Sequence, residues 1–346
     1  MAYSQTSLPN VDAYDVNKYI ISPLFLGGDW MSYMDVIPDI KGKTVIDNFG
    51  KLNGNTTTFN AGAAFAGASA TIGSGITIDP TRMEIELQFQ ANLLFGKIKG
   101  NLMRSNVDYD NIDGTIVKQA LLELLGKGAA YDFNQQMFMS GAHLTDSAGF
   151  VNNYDGIFVA SFDAKDSAQK AATVLDSTDV SGLTNDAALV AGKGIEILKA
   201  MYNAAPAELL DAEGRVFMVT GSIADDYQAT LEADGYAAAG YGAVTDGAKM
   251  SFRGIPLEVR RDWDSHIAAS GHAKLPFAGH AAENYAAMLT CRNAFVVGTD
   301  FDSTQVEQWY SLDNKAYRFR ISYMTGVALT NPDLCVTFTP DQIVSA

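Results

Sequence analysis

The sequence predicts an α+β protein with two lobes, and three patterns carry that prediction. Between Met83 and Phe89 the chain alternates strictly, with Met83, Ile85, Leu87 and Phe89 on one side and Glu84, Glu86 and Gln88 on the other. That is the period of a half-buried strand. From Gly114 to Met139 apolar residues recur at three- and four-residue spacing, the period of an amphipathic helix. From Asp186 to Asp264 helix-like, strand-like and helix-like segments follow one another and end on the strand FRGIPLEVRRDWD. Such an order builds a compact α/β unit.

Size and composition are consistent with this division. The chain has 346 residues, and single cores rarely grow beyond about 250–300 residues. Hydrophobic residues make up 47% and charged residues 18%, which excludes a disordered chain and leaves a lightly charged surface, much of it free to meet other protein. The apolar share itself is ordinary for a globular chain. With 24 Lys and Arg against 40 Asp and Glu, the net charge is -16, which argues against a sequence-specific nucleic-acid reader, because such a reader needs a basic face.

The opening MAYSQTSLPNVDAYDVNKY has no basic stretch followed by an apolar core, so no export signal is expected. AALVAGKGIEILKAM is interrupted by Lys193, Glu196 and Lys199, and no segment reaches the ~20 apolar residues of a membrane helix. A soluble protein is expected. Cys291 and Cys335 lie in apolar runs, where small buried hydrophobes are a better reading than a disulfide.

Along the chain, residues 1–40 combine Pro9, Pro23 and Pro38 with Leu24, Phe25, Leu26, Trp30 and Tyr33 but show no period. They read either as an arm that buries these side chains on a neighbouring subunit or as a terminal strand packed on its own domain. TVIDNFGKLNG and ITIDPTRMEIELQFQ flank a Gly/Ala-rich tip, AGAAFAGASATIGSG, and predict two strands of a long hairpin. A two-stranded hairpin is marginal alone in water and must lie on something; the alternative is a meander within one domain.

Asp113 is placed to cap the long helix, whose apolar stripe holds Ile116, Val117, Ala120, Leu121, Leu124 and Leu125. Gly126 and Gly128 weaken its middle, so a split into two helices is the alternative. Residues 141–186 are polar except for GIFVASF, which reads as strand and loop. Asp186 is expected to cap a helix ended by Pro206, GRVFMVTG to form a strand buried on both faces, and IADDYQATLEADG to form a helix closed by Gly235. In the last segment Tyr317, Phe319, Ile321 and Tyr323 point one way and Arg318, Arg320 and Ser322 the other. No repeat at 20–50 residues is present, which argues against a solenoid or propeller.

The order of these elements resembles the major capsid proteins of tailed bacteriophages, whose fold is shared by encapsulins and by herpesvirus capsid floor domains. The stretch from Phe252 to Phe338 carries the resemblance best, with its Gly-Ile-Pro strand, the Trp263 between two aspartates, the Val-Val-Gly-Thr-Asp turn and the closing alternating strands. What the resemblance implies is a phage major capsid fold with an N-terminal arm (1–40), an extended β-hairpin loop and transition (41–104), a peripheral domain with a long spine helix (105–185), an inserted α/β axial domain (186–293) and return strands of the peripheral domain (294–346). It favours the arm over the terminal strand. It implies a non-enzymatic structural protein of the virion, assembled in the host cytoplasm, whose pentamers and hexamers form an icosahedral shell around double-stranded DNA. Trp30, Tyr33, Met83, Ile85, Leu87 and Phe89 are the candidate assembly-interface residues. The implied partners are further copies of the chain, a portal and decoration proteins. No N-terminal scaffolding extension is evident, so a separate scaffolding protein is expected. Some relatives of this fold join Lys and Asn side chains of neighbouring subunits, and Lys43 and Lys51 lie in the corresponding region, but such residues are common in loops.

Candidate chemistry is sparse. Asp264, His266, His272, His280, Glu283 and Cys291 cluster in sequence, yet their spacing matches no metal-binding pattern. His143 has no acid nearby in sequence. Neither GxxxxGK[ST] nor GxGxxG occurs, the glycines of GYAAAGYGAVTDG read as a surface loop, and there is no GxSxG elbow. Asp262 and Asp264 imitate an acidic pair, but a capped turn anchored by a buried Trp263 accounts for them. No catalytic residue, metal or cofactor is expected. The rival readings are an encapsulin-like compartment shell and, from another class, a soluble α/β enzyme or ligand-binding protein.

Overall fold

The computed structural model describes residues 34–46, 76–90, 116–139, 154–164, 173–183, 188–233, 250–269, 285–311 and 313–340. In chain order these form β1 (Asp35–Ile37), β2 (Thr44–Ile46), β3 (Ile76–Ile78), β4 (Thr81–Gln90), α1 (Ile116–Met139), α2 (Ile157–Asp163), β5 (Thr173–Leu175), α3 (Lys193–Ala204), α4 (Ala207–Asp211), β6 (Val216–Thr220), α5 (Gly221–Ala233), β7 (Ser251–Phe252), β8 (Ile255–Arg260), α6 (Arg261–Ala269), β9 (Ala287–Thr290), β10 (Phe295–Ser311), β11 (Ala316–Leu329) and β12 (Cys335–Phe338). Residues 1–33, the hairpin tip, Asp113, His143, Gly235, His272 and His280 lie outside the described residues.

Two sheets organise the chain. One has four strands in the order β1-β10-β11-β4, with β1 parallel to β10 and the other pairs antiparallel. The other has six, in the order β5-β12-β9-β6-β8-β7, with β5 parallel to β12 and β6 parallel to β8. A short ribbon, β2 with β3, is antiparallel.

β6 shows how the centre of the second sheet comes to be buried on both faces. All five of its residues, VFMVT, are buried. Successive side chains of a strand point to opposite faces, and those of β6 enter different cores. Val216 and Met218 pack with α1, α2 and the four-stranded sheet, while Phe217 and Val219 pack with α3 and α5. β9 alternates in the same way, sending Met288 to the first core and Ala287 and Leu289 to the second. The six-stranded sheet is a wall shared by two cores.

On one side of that wall lies α1. Its 24 residues span about 36 Å, unbroken at Gly126 and Gly128. Leu125, Ala129, Phe133 and Met137 recur every four residues and are all buried. Leu124, expected on the apolar stripe, is 62% exposed. Two consecutive helical residues are about 100° apart, and Leu125 occupies the inward direction.

α2 corrects a second expectation. IFVASF was read as strand and loop but is helical. A short apolar run buried on all sides has no period to distinguish helix from strand, and α2 lies between α1, β11 and β12. The Ser161 hydroxyl, with no water to meet, donates to the Ile157 carbonyl at 2.8 Å.

The α/β lobe is tied together by carboxylates at helix starts. Asp264 on α6 accepts from the Gly221 and Ser222 amides at 2.7 and 3.4 Å and from the Ser222 hydroxyl at 2.9 Å. Asp226 on α5 accepts from the Gly192 and Gly194 amides at 2.8 and 2.6 Å. Free amides at a helix N-terminus favour such anions. Both sites need glycine for close approach, since a Cβ on Gly194 would lie 2.9 Å from Asp226 Oδ2 and one on Gly221 2.5 Å from Asp264 Oδ2. α3 accordingly begins at Lys193, later than a cap at Asp186 implies; Asp186 itself lies outside the described residues. The N-cap of α3 is Gly192 in the left-handed region (φ 81°), held by a carboxylate from another helix.

Three further expectations change. The RDWD segment, read as the end of the FRGIPLEVRRDWD strand and as a capped turn, is the first turn of α6, and Trp263 is fully buried as expected. β4, expected as a limb of a hairpin, pairs along all ten residues with β11, and among the described residues the pairing across the loop is that of the short β2 and β3. β12, expected with the return strands of the first lobe, adds to the six-stranded sheet between β5 and β9. Its Val336 and Phe338 complete the second core.

Trp263 joins the two lobes. Its ring lies 5.0 Å from Phe138 on α1 and 5.2 Å from Phe158 on α2. Beside it Arg260, 6% exposed, sits over the Phe138 ring at 5.0 Å and donates to Asp262 at 3.0 and 3.1 Å and to Asn134 at 2.8 Å. A buried guanidinium requires such partners.

Replacing Trp263 with alanine is expected to lower the unfolding free energy by about 3–5 kcal/mol, read from urea titration. A loss below about 1 kcal/mol would contradict this junction. Asp264→Ala removes a cap and is expected to cost about 0.5–2 kcal/mol, with the amide exchange of the first turn of α5 rising above that of its last turn; unchanged exchange there would exclude the capping role.

Candidate assembly surface

The candidate interface residues on β4 form one row but not one environment. Met83 stands opposite Tyr323, Ile85 opposite Ile321, Leu87 opposite Phe319 and Phe89 opposite Tyr317. The β11 partners are all buried against the first core. Met83 joins them at 7% exposure, Ile85 and Phe89 are partly buried on that core, and Leu87 is 38% exposed. The row starts inside the body at Met83, is least covered at Leu87 and is partly covered again at Phe89. Phe89 is steadied by an edge-on contact with Phe319 at 5.9 Å. Trp30 and Tyr33 lie outside the described residues.

The opposite face of the same strands is polar and paired. Arg320 contacts Glu84, bonds Glu86 at 2.7 Å and approaches Glu307 at 3.8 Å, reaching carboxylates on both neighbouring strands. Arg318 donates to Gln88 at 3.1 Å, and Arg82 donates to Ser322 at 3.2 Å. The Trp309 ring lies 5.8 Å from the Arg320 guanidinium. Exposed pairs of this kind are screened by water and stabilise little. They do favour one register, because a one-residue slip would move every charge to the core face.

Sequence reasoning missed a second exposed apolar set. Leu124 and Tyr131 of α1 are 62% and 50% exposed. Seven residues apart, they lie on one side of the helix, with Gly128 between them facing open space. The signal that finds them is the buried series Leu125, Ala129, Phe133 and Met137, which turns Leu124 and Tyr131 outward. Val45, on the ribbon, is 59% exposed.

No side chain among the described residues presents activated chemistry. Cys335 and Cys291 are buried and free. Burial pushes the Cys335 thiol up to about 12, against a lowering contact with Ser161, which leaves it protonated and unreactive at neutral pH. Burial likewise raises the Cys291 thiol. Among the described residues no group of three or more His, Cys, Asp or Glu is placed to hold a metal ion, and no helix is long and apolar enough to cross a membrane. Asp262 and Asp264 serve separate structural contacts and converge on no common point. A groove of about 530 Å³ among the described residues, lined by Ala207, Glu208, Asp211, Ala212, Asn331 and Leu334, holds no nucleophile and base pair.

With these elements in place the fold can be compared with solved structures. A chain of the satellite phage P4 procapsid, in a structure that includes a size determination protein, aligns with TM-score 0.56 and 12% identity over 97% of this chain and 93% of its own. A chain from the capsid of a native GTA particle aligns with TM-score 0.55 and 16% identity over 90% and 89%. One from the capsid of the cyanophage P-SCSP1u gives 0.52 and 13% over 90% and 87%. The fold is that of tailed-phage major capsid proteins, carried by almost the whole chain. No protein-family model matches the sequence, and no curated protein matches it.

Asp132, half-buried beside this surface, supplies a pH handle. Burial raises its pKa, so the folded state favours the protonated carboxyl. The stability linked to this group is present at low pH and is lost as pH rises through the raised folded value. Asp132→Asn is therefore expected to be more stable than the parent at pH 7, with the gap closing as pH falls into the carboxyl range; a pH-independent difference in melting temperature would contradict the assignment.

Proposed function

We propose that this chain is the major capsid protein of a tailed phage, a structural and non-enzymatic component of the virion that assembles with copies of itself into a closed shell. The observation that carries the reading is the coat fold across nearly the full length, combined with apolar side chains left uncovered on three separate elements: Leu87 on β4, Leu124 and Tyr131 on α1 and Val45 on the ribbon. Scattered exposed hydrophobics are normal in a monomer. Here they lie on a spine helix, a loop root and a sheet edge, the parts by which a shell subunit reaches its neighbours.

In this reading the arm expected over 1–40 is narrowed to residues 1–33, because Met34, β1 and Ile40 pack on the body; the extended loop expected over 41–104 has its root in the ribbon, with β4 belonging to the body; and residues 186–293, completed by β12, are an axial lobe that gathers around the symmetry axes of pentamers and hexamers. Trp30 and Tyr33 of the arm and Ile85, Leu87 and Phe89 of β4 bury against adjacent copies, with Met83 anchoring the row from inside. Many weak contacts add up because each subunit engages several neighbours at once, and closed symmetry limits growth. Double-stranded DNA is enclosed without sequence reading, consistent with the net charge of -16. A separate scaffolding protein, a portal and decoration proteins are the further partners, and assembly takes place in the host cytoplasm.

Electron microscopy and size-exclusion chromatography of the purified chain test this directly. Capsomers or shells are expected; a 37 kDa monomer under every condition would sink the proposal. Removing residues 1–33, and so sparing β1 and Ile40, which pack on the body, is expected to leave a folded body that forms no shells, and normal particles from the truncated chain would refute the arm. The double variant Leu124→Asp, Tyr131→Asp is expected to keep the parent's thermal stability and to reduce particle yield at least about tenfold, as losing an interface anchor does.

A further inference from the structure

We infer that Gly298 and Gly326 form a seat that holds the ribbon of β2 and β3, the root of the extended loop, flat on the four-stranded sheet and so sets the direction in which the ribbon leaves that sheet. The two glycines are direct partners across β10 and β11. Two residues along the same face stand another pair, Val296 and Ala328, which pack with Ile40 and Ile78 as a small core separate from the two large ones. This is the sheet face turned away from Phe295 and Val297, which enter the first large core. The ribbon rests on a platform of two small apolar residues and two glycines.

The chain crosses this platform at close range. A Cβ on Gly326 would lie 3.0 Å from the Pro80 Cα and 3.1 Å from the Asp79 carbonyl oxygen, both backbone atoms of the link between β3 and β4. A Cβ on Gly298 would lie 2.8 Å from Ile40 Cδ1 and 3.1 Å from Ile78 Cγ2. Asp39 turns the chain into place with a left-handed φ of 62°, and the Ile40 amide donates to the Thr299 carbonyl at 3.2 Å. Thr81 is still paired with Thr325 on β11, so the rise from sheet edge to ribbon is made by Asp79 and Pro80 directly over Gly326. Neither glycine has a positive φ. What they supply is room, and any side chain there lifts the loop root.

The two positions differ in what would have to yield, which makes the idea testable. At Gly326 the obstacle is backbone, whereas at Gly298 it is the end of a side chain that Ile40→Val removes. In the full-length protein, hydrogen exchange at residues 44–46 and 76–78 is expected to rise about tenfold or more in Gly326→Ala, with β6 unchanged. Gly298→Ala is expected to loosen the same residues, and the double variant Gly298→Ala, Ile40→Val to recover most of the protection. Wild-type exchange at the ribbon in Gly326→Ala would overturn the seat, as would a double variant no better protected than Gly298→Ala alone. The link to assembly rests on the shell reading, and particle size and yield test it separately. Fewer or misshapen particles are expected from Gly326→Ala, and normal particles despite a loosened ribbon would overturn that link. If the parent chain forms no particles, the shell reading fails while the exchange data still decide the seat.

Discussion

Burial of the central strands of the six-stranded sheet, β12, β9 and β6, on both faces is the constraint from which most of the structure follows. A strand such as β6, whose five residues are all buried, must have a core on each side. α3 and α5 close one side, and α1, α2 and the four-stranded sheet close the other. The lobes are therefore not beads on a string. Phe138, Phe158 and Trp263 meet where the wall touches the spine helix, and Arg260 is acceptable there only because Asp262, Asn134 and two aromatic faces satisfy it.

The α/β lobe gains rigidity from a relay of helix ends. Asp264 of α6 holds the start of α5, and Asp226 of α5 holds the start of α3. Each bond links segments more than thirty residues apart, so the three helices are positioned together. In the shell proposed above such stiffness has a use, since contacts with neighbours then form without further ordering cost.

Much of this was legible in the residues. Strict alternation marked β4 and β11 because one face of that sheet is wet, and the polar row Glu84, Glu86 and Gln88 does meet Arg320 and Arg318. The spine helix was visible from its period. The candidate interface was legible only in part. The alternation that picks out Met83, Ile85, Leu87 and Phe89 identifies the face they share, but not how far the body covers it. Leu124 was assigned to the wrong side, since a run of adjacent leucines leaves the phase of the stripe open until Leu125, Ala129 and Phe133 are seen together in the core.

Local pattern, then, determined which segments are strands and helices wherever one side of the segment meets water, because solvent imprints its own period on the sequence. It determined the fold class and the order of elements on the same basis. Only the tertiary structure decided the rest: that IFVASF is helical, that α3 starts at Lys193, that β4 joins β11, that β12 crosses to the other sheet, and that Gly298 and Gly326 leave space for the chain above them. In each case the deciding partner is distant in sequence. Fully buried segments carry no solvent imprint, and a carboxylate, a strand edge or a missing Cβ has its effect only where the fold brings its partner.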